Sequence, residues 1–446
     1  MLSRSQAVPM LQLFALTLMI IPSDTIIKPI GAAGYPASLV GMFTFAAFIV
    51  GTMLGLHNPL RNRHPIRTVL LLMWIATMAS YVLMDRSTLT VAQQAAADRN
   101  LMQLICVSGV ALLAAECLHS IGDMRRVLRA LTWGGAFCGV VAALQFWMSF
   151  DVSPFLRELP GFSLNFDNPG IISRAALNRV AGTAIHPIEL GVVAGMLLPV
   201  AIWLGMYDTE RSPRRRWAPV VLIGLAIPAS VSRSAILATA LALAVVIVLM
   251  PSKQRLLALC AVPVAIAGVF MTAHGLIGTL TSFFEAGTSD QSIATRVDDY
   301  PMVERLVRET PWFGRGGGTY LPDNAIDILD NQFLKTAIEL GLFGVAALAA
   351  FFLVPAIAAL VARRHSRDPE LRLLLAALAG SALTAAFCSL TFDSLSFPMF
   401  TNVHALLLGM IGAGWRLVRA EAKAVAPVRA GSFAGPFNQA VQPAGG

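Results

Sequence analysis

The chain has 446 residues, 56% of them hydrophobic and 13% charged, with a mean hydropathy of +0.69. That balance excludes an ordinary soluble domain, where charged residues make up about a quarter, and predicts an all-α, polytopic integral membrane protein. A net charge of +8 raises nucleic acid as a partner, but the basic residues fall in short loops between apolar runs. They cluster at Arg61, Arg63 and Arg67, at Arg125, Arg126 and Arg129, at Arg211 and Arg214 to Arg216, at Lys253 and Arg255, at Arg363, Arg364, Arg367 and Arg372, and at Arg416, Arg419 and Lys423. Alternate loops carry them, which is the positive-inside pattern of a membrane protein and excludes nucleic acid.

With a window of about 20 residues the chain offers about twelve spans, both termini cytoplasmic. The first runs from Val8 to Ile27 and reads as an uncleaved helix behind Arg4. Spans two to five follow at Pro36 to Leu56, Thr68 to Met84, Asn100 to Ser120 and Val127 to Phe150. The connection Asp85 to Arg99 is short, mixed in charge and without predicted chemistry. A long external loop, 151–185, leads to span six, which starts near Pro187 and ends near Met206. Span seven, Trp217 to Val231, meets span eight, ending at Met250, through Ser232, Arg233 and Ser234 with hardly a pause. Span nine covers Leu256 to Thr272, and spans ten to twelve cover Phe333 to Leu353, Leu373 to Leu390 and Phe397 to Leu417. The organisation expected is helices one to nine over 1–273, an external catalytic loop between spans nine and ten over 274–332, helices ten to twelve over 333–419, and a disordered cytoplasmic tail, rich in Ala, Pro and Gly, over 420–446. All five cysteines fall in predicted spans, so neither disulfides nor a metal site is expected.

The interval from Thr288 to Gly344 is the longest run that cannot lie in a bilayer. Val303, Leu306 and Val307 at helical spacing behind Asp298, Asp299 and Pro301 predict a helix starting there and ended by Pro311. Arg315 lies among Gly314, Gly316, Gly317 and Gly318, a backbone able to turn its N–H groups toward an anion. GRGGGT has neither the spacing of a dinucleotide fingerprint nor the Lys-Ser/Thr pair of a P-loop, so no nucleotide cofactor is expected. Asp330 and Asn331 stand just before an apolar helix, with helix capping as the structural role open to Asp330.

Elsewhere on the predicted external face, Arg174 and Arg179 approach the membrane, and His186 and Glu189 sit at the mouth of span six. These two are neighbours on one face if the helix starts at Pro187, where they are expected to contact substrate or to form an alternative base. Arg233 has no loop to escape into and needs a partner or a wet cavity. Arginine suits bidentate recognition of phosphate, and arginines at a membrane surface suggest a phosphate-bearing lipid. A nearby carboxylate can accept a proton from an attacking hydroxyl while the arginines offset charge on a departing diphosphate. The same residues suit a flippase or exporter of lipid-linked oligosaccharide, but charges gathered at one face without repeated halves favour an enzyme.

The segments RVAGTAIHPIELG, SRSAILA, TR followed by PWFGRGGGTY, and DNQFLKTAIELGLFG, in that order, resemble the O-antigen ligase and polymerase superfamily of bacterial polysaccharide assembly. The resemblance implies a glycosyltransferase of the bacterial cytoplasmic membrane, independent of metals. It would move a glycan from an undecaprenyl-diphosphate carrier to an acceptor sugar or lipid, alongside other polysaccharide-assembly proteins. It implies that Arg179 and Arg233 contact the diphosphate and that Arg296 and Arg315 help hold substrate; Gly316, Gly318 and Asn331 in the same loop are expected to share in binding it. Lipopolysaccharide ligases carry His-Asn where this chain has Asp330-Asn331. A carboxylate of ordinary pKa, about 3.9, is a weaker base than imidazole, so Asp330 as base calls for burial, and the change leans toward a polymerase.

Overall fold

The computed structural model describes residues 4–56, 58, 63–158, 160–165, 171–174, 177–272, 291–322, 324 and 327–425; side chains at 4–5, 171–178, 265–266, 269–272 and 291–298 lie outside that description. Fourteen α-helices make up the described fold. They are α1 (Arg4–Ile20), α2 (Pro36–Met53), α3 (Pro65–Leu83), α4 (Val91–Cys117), α5 (Ile121–Met148), the short α6 (Ser153–Arg157), α7 (Pro187–Tyr207), α8 (Pro213–Ala229), α9 (Arg233–Leu249), α10 (Ser252–Thr272), α11 (Gln291–Glu309), α12 (Gln332–His365), α13 (Pro369–Cys388) and α14 (Pro398–Val425). Proline opens α2, α3, α7, α8 and α13, where its missing N–H costs nothing.

Each expected span falls on a helix, and among the described residues seven, α2 to α5, α7, α12 and α13, are long and apolar enough to cross a membrane. Helix α9 is apolar but has 17 residues, about 25 Å at 1.5 Å per residue, short of a hydrocarbon core of about 30 Å. Helix α8 spends its first turn on Arg214, Arg215 and Arg216.

Four boundaries differ from the sequence expectation, one of them at the tail expected to be disordered from 420, where α14 continues as helix to Val425. Helix α1 stops at Ile20, and the chain turns into strand β1 (Thr25–Ile27), which pairs antiparallel with β2 (Phe162–Leu164), Thr25 opposite Leu164. The residues expected to finish the first span therefore pin the long 151–185 loop instead, helped by the ion pair of Arg157 with buried Asp24, 2.6 Å. Helix α4 starts at Val91, within the connection expected to be inert, because Thr90 and Gln93 form a reciprocal capping box. Helix α11 starts at Gln291 and carries Pro301 inside it, so the Asp298–Pro301 cluster is no helix start. It ends at Glu309, just before Pro311, as expected.

A second pair of strands, β3 (Ile171–Arg174) and β4 (Leu177–Val180), forms a hairpin in which Ile172 faces Arg179. The core runs continuously along α1, α4, α5, α7, α12, α13 and α14. Helix α14 packs on α4, α13 on α12 and α9, and α7 on α8.

Members of two basic clusters sit at the C-terminal ends of α4 and α9. Arg416 donates to the Ala115 carbonyl at 2.7 Å, and Arg363 to that of Leu249 at 2.7 Å. Cations there meet the negative ends of helix dipoles. Buried Glu116 pairs with Arg67 and His64, and Arg129 grips Asp208 at 2.7 Å. These arginines are spent on structure, and the starts of α4 and α9 lie at the other end of each helix.

Candidate active site

Arg179 on β4 donates from Nε to the Ser230 carbonyl at 3.4 Å. Ser230 closes α8, and the chain reverses through Val231, whose φ of +48° is rare for a β-branched residue. Holding it there costs ~1–3 kcal/mol, a form of strain that clusters at functional sites. The reversal puts Arg233 at the first position of α9, where Ser232 makes no side-chain capping bond. Two arginines expected to act together thus flank one turn, beside a helix N-terminus that favours anions.

Helix α7 begins at Pro187, as the spacing predicts. His186 is its cap, with Nδ1 accepting from Ile188 N at 3.2 Å. That nitrogen is therefore unprotonated, which leaves the hydrogen on Nε2 and makes the ring a donor. Burial, and next the charge of Arg179, push the imidazole down to about 4. Glu189 is fully buried. Its carboxylate accepts from Ile185 N (2.9 Å), Met399 N (2.8 Å) and Phe400 N (3.1 Å). Its oxygens are committed to backbone amides at the starts of α7 and α14, so Glu189 is an internal staple, unlike the substrate contact expected of it.

Asn331 caps α12, with Oδ1 accepting from Phe333 N at 2.8 Å and Leu334 N at 3.4 Å. The capping role considered for Asp330 therefore falls to Asn331, and its side-chain oxygen serves the helix, not a substrate. Asp330 is exposed, one residue before the cap, without the burial expected of a base. Gln332 N donates to the Ser389 carbonyl (3.0 Å), and Gln332 Oε1 accepts from Leu395 N (2.8 Å). Lys335 reaches Asp393 at 3.3 Å and Ser396 Oγ at 2.7 Å, and Cys388 Sγ reaches the Ser234 carbonyl at 3.9 Å. A continuous set of bonds around residues 388–400 joins the starts of α7, α9, α12 and α14.

The glycine-rich segment does something else. Arg315 N donates to Ile338 O and Gly316 N to Glu339 O, both at 3.0 Å, while Leu342 N donates back to Pro311 O at 2.9 Å. Helix α12 is broken there, with Gly341 at φ +68° and ψ −169°, and the loop backbone supplies the partners that the break removes. A Cβ on Gly314 would lie 2.3 Å from the Glu339 backbone, and one on Gly341 would lie 2.4 Å from Trp312. Gly316 and Gly318 adopt φ of +118° and +82°. These amides are taken up within the protein: the N–H of Gly316 goes to the Glu339 carbonyl and that of Gly318 to the Glu339 carboxylate, so the anion met here is internal and not a ligand. Arg315 remains half-buried at the loop's edge, its guanidinium on Glu309.

The side chains of Arg174, Arg296 and Asp298 lie outside the described set, and Thr288 lies outside the described residues. Sequence reasoning missed Glu339, although a lone carboxylate inside an apolar span is itself a signal. It also missed Lys335 and Asp393, which join the start of α12 to the loop before α14.

Residues 218–349 match the family model Wzy_C, described as O-antigen ligase. The match supports the O-antigen ligase superfamily. No curated protein matches the chain. The matched segment runs from α8 into α12, and it contains Arg233, Arg315, Asp330 and the broken helix while leaving out Arg179 and His186. That family implies a membrane glycosyltransferase of the ligase or polymerase type.

Proposed function

We propose that the protein transfers a glycan from an undecaprenyl-diphosphate carrier to an acceptor sugar or lipid at the external face of the bacterial inner membrane, through about twelve spans with both termini cytoplasmic. One observation carries this: Arg179 and Arg233 flank a strained turn at the start of α9, within a set of helix N-termini joined around residues 388–400. Paired guanidiniums and a helix N-terminus complement a diphosphate as its bond to the sugar breaks, with no covalent step required of the protein.

In this scheme Arg179 and Arg233 hold the diphosphate and take up the charge released on it. His186, donating from Nε2, adds a hydrogen bond to the same oxygens. Arg315 exchanges its exposed partner Glu309 for the anionic substrate, a trade that costs little because a surface ion pair is worth about 0–1 kcal/mol. Asp330 accepts the proton of the acceptor hydroxyl. It is exposed at the start of α12, so the bound acceptor supplies the burial that a carboxylate base needs, while Gln332 holds that helix start beside the 388–400 segment. Arg296, on α11, belongs to the same substrate-holding set.

The test is transfer by purified protein in liposomes supplied with an undecaprenyl-diphosphate-linked repeat unit. Longer lipid-linked chains with release of undecaprenyl diphosphate support a polymerase. Movement of the unit across the bilayer with no release supports a flippase and refutes the proposal.

A further inference from the structure

Glu339 is the most heavily engaged polar residue at the break in α12. Its carbonyl accepts from Gly316 N at 3.0 Å and from Ser80 Oγ of α3 at 2.7 Å. Its carboxylate, buried within the protein, accepts from the N–H groups of Gly318 and of Tyr320, the latter at 3.3 Å. The loop is held from its other side by α4: Gln93 Nε2 donates to the Thr319 carbonyl at 3.2 Å, and a Cβ on Gly317 would meet Asn100 Nδ2 at 2.2 Å. A carboxylate in an apolar helix is costly, and it is retained where its partners matter. Here three of the four donors, the N–H groups of Gly316, Gly318 and Tyr320, fix residues 316–320 against the two helical turns around Gly341, and Ser80 ties the same turn to α3. The side chain that this leaves pointing away from the clamp is that of Arg315, whose own N–H is tied to Ile338.

We infer that Glu339 is a positioning residue, clamping the glycine-rich loop so that Arg315 is presented at a fixed place for the anionic headgroup of the lipid carrier. This rests on the role proposed above for Arg315. A clamp lowers the ordering cost of binding, because the arginine's backbone is immobilised before substrate arrives. It also accounts for four glycines around one arginine without assigning any amide to the ligand.

The test uses full-length protein in detergent with undecaprenyl diphosphate as the probe. Arg315→Ala and Glu339→Ala each weaken binding ~10-fold, and the double variant is no more than ~2-fold weaker than either single one, as expected for residues acting as a unit. Glu339→Gln, which keeps an acceptor oxygen, stays within ~2-fold of wild type. Additive losses, or a Glu339→Ala protein that binds normally while Arg315→Ala does not, overturn the clamp. Normal binding by Arg315→Ala overturns the role of Arg315 and the clamp's purpose with it. Should Glu339→Ala fail to accumulate, amide exchange in the wild-type protein decides: Gly318 and Tyr320 N–H groups exchange slowly without the probe if clamped, and rapid exchange there contradicts the inference.

Discussion

The Nε of Arg179 donates to the carbonyl of Ser230, three residues before Arg233. One arginine thereby braces the turn that places the other. Arg179→Ala and Arg233→Ala are each expected to lower product ~100-fold or more while insertion and accumulation stay normal. Arg233→Lys recovers little, because an ammonium cannot match the planar fork of guanidinium. Quantifying surface polymer against membrane-extracted protein checks both.

Asp330 and its neighbour separate chemistry from capping. Asp330→Asn loses proton acceptance and is expected to abolish turnover with an unchanged unfolding midpoint. Asn331→Ala removes the cap, costs ~1 kcal/mol of stability and leaves substantial turnover. Turnover rates and detergent unfolding on the two variants would expose an inverted assignment.

Glu189 serves three backbone amides, two of them buried, so Glu189→Ala leaves the buried pair unpaired at ~1–3 kcal/mol each, and the starts of α7 and α14 loosen together. The expected result is a lower unfolding midpoint and protease sensitivity near residues 185 and 399, with Glu189→Gln intermediate.

His186 fixes a pH dependence. Its folded-state pKa, about 4, lies below the ordinary 6.5 because of burial and then Arg179. As pH falls from about 6.5 to 4, the unfolded chain takes up a proton that the folded protein refuses, so stability present above 6.5 is lost across that window. His186→Asn, which keeps a capping oxygen, is expected to flatten this part of the profile in unfolding midpoints taken from pH 7 to 4.5.

The interlock at α12 is sensitive to single methyl groups. Gly314→Ala places a Cβ against the Glu339 backbone and is expected to disrupt the loop and abolish product. Gly224→Ala, on α8 with nothing within 4 Å, is expected to be neutral or mildly stabilising. Parallel expression and product measurements distinguish them.

Much of this architecture is legible in the chain. Apolar length and prolines at helix starts locate the helices, the break before Arg233 is visible as two spans without a loop, and the Asp330-Asn331 pair marks the start of α12. The glycine-rich segment is not legible in the same way, because its partner is Gly341, buried in an apolar run and separated from Gly314 by the turn-rich link. Only the fold brings the two backbones together. The extension of α4 back to Val91 has a local signal in the Thr90/Gln93 capping box, which hydropathy alone passes over. The roles of Asn331 and Glu189 depend on which amides they meet, and spacing does not reveal those.

The most direct measurement of the central claim is the length profile of undecaprenyl-linked glycan in cells whose only copy carries Arg233→Ala or Asp330→Asn. Lipid-linked glycan is predicted to accumulate on the outer leaflet, as single repeats for a polymerase or as long chains for a ligase. A normal profile with normal surface polymer would contradict transfer at this site.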